Sequence, residues 1–392
     1  MGDQDPAETA TRGIREQNGL LLVTSAPVAQ GAVRLAEDYA RREPACVRAG
    51  ASRSLTRMRL LVLGGTAWLG QAIAVHGLDR GHEVTCLARG DAGDPPAGAR
   101  FIRADRDGHE AYESIDGEQW DAVIDVARQP GHVRRAVTAL EPAAGRYVFV
   151  SSGNAYASQR ELNQDEDVPL LAPLTSDVMG SLERYGEAKV ACEQAVAAAF
   201  GAQRTTIVRA GLVGGPGDWS GRSGYWPWRF ARPSNPDGAV LVPDAPEPPA
   251  ALIDVRDLAA WLVTCAENGV AGVFNASANR MPLAQHLAVA QVVAGHTGPL
   301  VGASTEWLLE RGVRSWSGPM SLPLWIDDVD WSGMNARDTS RARGAGLLTR
   351  PLEDTLTDTL AWELSQPHPG PHGAGLTDAE ERSLLDALGT AR

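Results

Sequence analysis

The chain has 392 residues, is 43% hydrophobic and carries a formal charge of −13. That length buries a sizeable core and divides readily into two units, while the acidic balance argues against nucleic acid or an anionic membrane as a broad partner. No apolar run reaches the roughly 18 residues a membrane helix needs. The acidic start, "MGDQDPAETA", is not that of a secretory signal, and four scattered cysteines (Cys46, Cys86, Cys192, Cys265) with no CxxC pair point to a reduced, cytoplasmic protein.

Residues 1–57 lack a core pattern beyond one helix near 31–43 and read as a poorly ordered extension, ending where Met58 abuts "RLLVLG". From 58 to 210, β-rich runs ("RLLVLG", "HEVTCLA", "RFIRAD", "DAVIDVA", "RYVFVSS", "RTTIVRA") alternate with helical ones ("WLGQAIAVHGL", "HVRRAVTAL", "VACEQAVAAAF"). This alternation predicts an α/β fold, a doubly wound parallel sheet with helices on both faces. Residues 211–365, rich in Gly, Pro and Trp, read as a smaller C-terminal substrate lobe with returning elements. Residues 366–392 read as a linker and a last helix, the latter opened by a Thr377–Glu380 capping box. The histidines show no metal spacing, so no metal site is expected, and His368 and His372 in the linker read as solvated.

The first strand ends in "LGGTAWLGQ", a turn from Gly64 to Gly70 that opens a helix. Backbone N–H groups at such a place face an anion. Arg89 closes the second strand where an NAD-preferring protein carries an acid, and an arginine there pairs with a 2′-phosphate or is a solvated loop charge. Asp105, at the end of the third strand, reads adenine or forms a turn. Ser151 and Ser152 end the fifth strand, in the crevice where such sheets bind ligands, or serve as a cap or turn.

The stretch "RYGEAKVACEQAV" holds the only lysine of the chain among 35 arginines. At helical spacing Tyr185, Lys189, Cys192 and Val196 share one apolar stripe, with Glu187 and Glu193 expected on the outer face. A buried ammonium needs partners. A snorkelling surface role leaves unexplained why arginine was not used. A compact ammonium fits beneath a phenol and bonds a ribose, where a planar guanidinium does not, and a phenol beside it can act as a general acid–base.

Together the turn, "VSSGNAY", "YGEAK", "VRAGLVGGPG" and "LIDVRDLA" resemble, in that order, the extended short-chain dehydrogenase/reductase superfamily over about residues 58–280. "LGGTAWLG" and "EVTCLARG" look most like the branch with chloroplast stem-loop-binding proteins and bacterial NAD-dependent epimerase/dehydratase relatives. The resemblance implies a Rossmann fold with a nicotinamide cofactor. It implies Tyr185 as proton donor or acceptor, Lys189 on the nicotinamide ribose and Ser152 on the reacting oxygen. Asp105 would contact adenine, and Thr66, Trp68 and Leu69 would line the pyrophosphate turn with Gly64 and Gly70. Ala67 departs from the family's middle glycine. Arg89 departs from the NAD-type acid and favours NADP over NAD.

The implied function is an NAD(P)-dependent oxidoreductase acting on an alcohol or ketone carbon of a small molecule. The alternatives are a sugar-nucleotide epimerase or dehydratase with tightly held NAD, and a non-catalytic RNA-binding or cofactor-sensing protein. A homodimer stays open. For the substrate, Trp219, Tyr225, Trp226 and Trp228 could stack on a ring or form lobe core, Arg222 or Arg229 could hold an anion, and "LPLWIDD" (322–328) could close the pocket.

Overall fold

The computed structural model describes residues 56–390; the expectations for residues 1–55, including the helix near 31–43, lie outside them. Seven strands form one parallel sheet: β1 (Arg59–Leu63), β2 (Glu83–Ala88), β3 (Arg100–Arg103), β4 (Ala122–Asp125), β5 (Tyr147–Ser152), β6 (Thr205–Ala210) and β7 (Gly272–Ala276). Their order is β7-β6-β5-β4-β1-β2-β3, so the chain reverses direction across the sheet between β1 and β4. This is the doubly wound α/β architecture expected of the sequence. β7 is the element the sequence did not disclose, because "GVFNA" is short and only partly apolar.

The central strand explains its own composition. Leu60 and Val62 point into one core with α1 (Trp68–Asp79), while Leu61 and Leu63 point into the opposite core with α2 (Pro130–Leu140) and α3 (Tyr185–Arg204). Side chains alternate along a strand, so a strand covered on both faces must be apolar throughout. A further helix, α4 (Val255–Asn268), joins α1 on the first face and fills it with Leu258, Trp261, Leu262 and Cys265. Asp254 caps α4 by accepting the Arg256 N–H at 2.8 Å.

The lobe has a separate core, built on α5 (Tyr225–Ala231) and α6 (Leu283–Val293) with Trp226, Trp325, Leu308 and Leu322 at its centre. Residues 366–377 are not a free linker. Ala374–Gly375 pair with Gly318–Pro319, and the last helix, α7 (Asp378–Thr390), buries Leu384 and Leu388 in the lobe core. The capping box forms: Thr377 N donates to Glu380 Oε2 at 2.8 Å, and Glu380 N to Thr377 Oγ1 at 3.3 Å. Among the described residues, no helix is long and apolar enough to cross a membrane.

Candidate active site

The nucleotide turn comes first. Gly64 takes a φ of +90°, and a Cβ at Gly70 would lie 2.1 Å from the Gly64 carbonyl oxygen, so helix and turn touch backbone to backbone. α1 starts at Trp68 with no side-chain cap from Ala67, which leaves first-turn N–H groups without intrahelical partners. An uncapped N-terminus at a sheet's switch point fits a pyrophosphate. Two side chains of this turn are engaged by the protein: Leu69 packs on the core, and Trp68 Nε1 donates to the Pro216 carbonyl at 2.8 Å. Thr66 is buried, and no hydrogen bond ties its hydroxyl among the described residues. We expect Gly70→Ala to lose about 1–3 kcal/mol of stability through overpacking and to weaken nucleotide binding. Melting curves with and without NAD check this, and an unchanged melt would mean the contact is not tight.

Arg89 follows β2 and lies exposed, 3.2 Å from the equally exposed Asp91. Its carbonyl accepts from Arg103 Nη1 at 2.9 Å, which fixes the backbone of this corner. Asp105 follows β3, and its Oδ1 accepts the Asp107 N–H at 3.0 Å. It therefore forms a turn, yet remains exposed beside an open depression of about 540 Å³ that Arg103, Glu110 and Ser114 also line. Asp105, Asp107 and His132 come close to one another, but Asp107 is already bonded to His132 and Arg135.

On the other side of β1, Lys189 is 2% exposed and donates from Nζ to the carbonyls of Ala127 and Val150, each at 2.7 Å. These carbonyls lie at the carboxyl ends of β4 and β5, and an ammonium has a third N–H to offer. Nζ lies 4.8 Å from the Phe149 ring centre and 5.7 Å from that of Tyr185. Tyr185 is half-buried at the first turn of α3, whereas Tyr156 is buried and donates to Asn275 Oδ1 at 2.6 Å. Ser152 ends β5 and accepts the Asn154 N–H at 3.2 Å, so the capping role is present at that hydroxyl. A Cβ at Gly186 would meet the Asn154 carbonyl at 2.1 Å, so the residue after Tyr185 must be glycine for α3 to lie against the Ser152 turn.

Two buried networks beneath these residues were not legible in the sequence. Asp125 takes a bidentate pair from Arg106 (2.8 and 2.7 Å), the Tyr147 hydroxyl at 2.6 Å and the Ala127 N–H at 2.9 Å. It thereby holds Ala127, the residue whose carbonyl accepts from Lys189. Glu193, expected on the outer face of α3, is instead buried, paired with Arg209 at 2.8 Å and accepting from Ser151 Oγ. The helix packs against β5 and β6 over a wider arc than one stripe, so a charge on its flank is enclosed and must be paired.

A model of the NAD dependent epimerase/dehydratase family matches residues 60–144 and 135–277, more than half of the chain. The chain belongs to that family. It is an NAD(P)-dependent enzyme of the short-chain dehydrogenase/reductase superfamily. No curated protein matches the sequence at a significant level.

Solved structures that resemble this family member include UDP-N-acetylglucosamine 4-epimerase from Bacillus cereus, 16% identical over 79% of this chain and 98% of that one, with a TM-score of 0.56. UDP-glucose 4-epimerase from Thermotoga maritima is 18% identical over 78% and 98%, with a TM-score of 0.57. The Bordetella bronchiseptica enzyme WbmG in complex with NAD and UDP is 20% identical over 78% and 95%, with a TM-score of 0.55. At these identities the likeness is one of fold.

On the substrate side the structure decides between alternatives that the sequence left open, and it overturns the solvated reading of His372. Tyr225, Trp226 and Trp228 are buried in the lobe core, because α5 is enclosed by the lobe on all sides. Arg229 is fully buried and paired with Asp378 at 2.7 Å and Glu381 at 3.2 Å, so it holds α7 and no anion. Leu322, Leu324 and Trp325 of "LPLWIDD" are core as well. Trp219 is 60% exposed and sits edge-on to Trp362 and His372. His372 is not solvated: its Nε2 lies 2.7 Å from Glu363 Oε1.

Proposed function

We propose that this enzyme is an oxidoreductase that moves a hydride between a nicotinamide and an alcohol or ketone carbon, with Tyr185 as acid–base, Lys189 as its electrostatic partner and Ser152 on the reacting oxygen. One observation carries the reading. The only lysine of the chain is buried one helical turn from Tyr185, bonded to two carbonyls at the carboxyl ends of β4 and β5. A lysine held so firmly keeps its charge at a fixed place, which stabilises a developing phenolate. Its third N–H is left for a ribose hydroxyl. Ser152, two residues beyond Val150 at the carboxyl end of β5, offers a hydroxyl to the substrate oxygen. The bound nicotinamide supplies or accepts the hydride, while Tyr185 gives the proton to the substrate oxygen or takes it away.

For the cofactor, Arg89 supports NADP within this NAD-dependent family. Among the described residues its exposed guanidinium has only the solvated Asp91 as ion-pair partner, and such a pair is worth little. Arg89→Asp should weaken NADPH by about 10–100-fold and NADH much less, because a charge-assisted bond becomes a repulsion. Titrating both cofactors by fluorescence checks this, and an unchanged ratio of affinities would remove Arg89 from the reading.

A second reading, epimerase or dehydratase action on a sugar nucleotide, is favoured by the structural likeness to two UDP-sugar 4-epimerases and to WbmG bound to NAD and UDP. Cofactor exchange separates the two. Freely exchanging NADP with net carbonyl reduction supports the oxidoreductase, and a tightly held NAD with no net redox change supports the epimerase.

A further inference from the structure

The loop of residues 215–224 runs from the nucleotide turn to the lobe and is held along its length. Its start is tied to α1 by the Trp68–Pro216 bond. Its middle is folded around Asp218, which is 3% exposed and accepts from Ser220 N (3.0 Å), Ser223 N (3.1 Å) and Ser223 Oγ (2.7 Å). On this loop sits Arg222, half-buried, its guanidinium 5.5 Å from the Trp316 ring centre. Its Nε donates to Ser220 Oγ at 3.1 Å. Among the described residues Arg222 forms no ion pair and neither Nη has a hydrogen-bond partner, while the residue keeps part of its surface exposed. Arg106, Arg209 and Arg229, the buried arginines among the described residues, each have a carboxylate within 2.8 Å.

An arginine taken partly out of water without a counter-ion is costly, and a stacking contact on Trp316 offsets only part of that. Asp218 makes no ion pair with it; its oxygens accept from Ser220 and Ser223, and its charge acts on the guanidinium only from further off. Burial makes the guanidinium easier to deprotonate, and the two groups that act the other way are Asp218 and Tyr185. The loop that carries Arg222 follows β6, whose last residue, Ala210, pairs with Ser152, so it leaves the sheet beside the Ser152 turn on which the start of α3 rests. A free guanidinium fork is matched to a carboxylate or a phosphate.

We infer that Arg222 binds an anionic group of the substrate, a carboxylate or a phosphate, near the carbon whose oxygen Tyr185 serves. The substrate class is then a hydroxy or oxo compound that carries such an anion. This rests on the reading of Tyr185 as acid–base, and the test keeps the two apart. In the first arm, the full chain saturated with NADP, so that nucleotide phosphate sites are filled, is titrated with inorganic phosphate and with acetate while its melting temperature is followed. A rise is expected in the wild type and in Tyr185→Phe with at least one of the two anions. It should be lost in Arg222→Gln and partly kept in Arg222→Lys. In the second arm, an oxo acid is compared with its methyl ester, and a keto-sugar phosphate with the free sugar.

The preference in kcat/KM for the charged member should fall by about 10–100-fold in Arg222→Gln, the loss of one charge-assisted interaction. The pair that responds identifies carboxylate or phosphate. No response of the wild type to either anion, an equal response in Arg222→Gln, or a wild-type preference for the neutral members would overturn the inference. If Tyr185→Phe keeps full turnover, the acid–base reading fails, and the first arm still decides the anion site.

Discussion

Lys189→Arg is expected to fold, bind cofactor and lose turnover by about 10²-fold or more, the size of a lost acid–base contribution. The change keeps the charge, so a mere surface or stability role would leave turnover near normal. The structure shows why the shape counts. Two carbonyls 2.7 Å from Nζ and the Phe149 ring enclose the ammonium, and a planar guanidinium cannot reach both without moving β4, β5 or α3. A modest loss of stability, about 1–3 kcal/mol from overpacking, should accompany it. Tyr185→Phe removes only a half-buried hydroxyl, so its melting temperature should stay at the wild-type value while turnover falls at least as far. The double variant should fall well short of the product of the two, because the residues act as one unit. Turnover of a carbonyl substrate found by screening, with melts of each variant, is the measurement. Full activity in Lys189→Arg would make the lone lysine an accident of composition.

Asp125→Ala is expected to cost about 3–5 kcal/mol of stability, the usual consequence of leaving a buried charge without its partner. Arg106 and Asp125 are both buried, and removing the carboxylate strands the guanidinium, the Tyr147 hydroxyl and the Ala127 N–H at once. Burial pushes the Asp125 carboxyl up, but the Arg106 guanidinium and the bonds from Arg106, Tyr147 and Ala127 outweigh it and hold the group below the usual carboxylate range. A carboxyl depressed in the fold contributes stability that is complete above the unfolded range, about pH 4, and is lost as pH falls through the lower folded value. Denaturant unfolding of the wild type should therefore weaken in acid, and Asp125→Ala should flatten that part of the profile. A loss of less than about 1 kcal/mol in Asp125→Ala would mean the pair is replaceable by packing alone.

How much of this could be read from the sequence depends on whether the signal is local. The apolar run of β1, the turn from Gly64 to Gly70 and the Thr377–Glu380 cap each depend on neighbours within a few residues. Periodicity and turn chemistry therefore disclosed them. So did the stripe of Tyr185, Lys189, Cys192 and Val196, since helical spacing alone aligns those four.

Side-chain environment is different, because it is set by elements far apart in the chain. Glu193 looks like an outer-face charge until β6 brings Arg209 beside it, 16 residues on. The tryptophans of residues 219–228 look alike in sequence. Only the lobe's packing buries Trp226 and Trp228 and leaves Trp219 exposed. Arg229 and Arg222 are equally good candidates for an anion until α7, about 150 residues away, supplies Asp378 and Glu381 to the first and nothing to the second. The sequence by itself determined the first six strands of the sheet, the nucleotide turn and the lysine's place on its helix, because backbone propensity and spacing are properties of short stretches. The tertiary structure alone decided which charges are paired, since a partner's distance through space has no counterpart in distance along the chain.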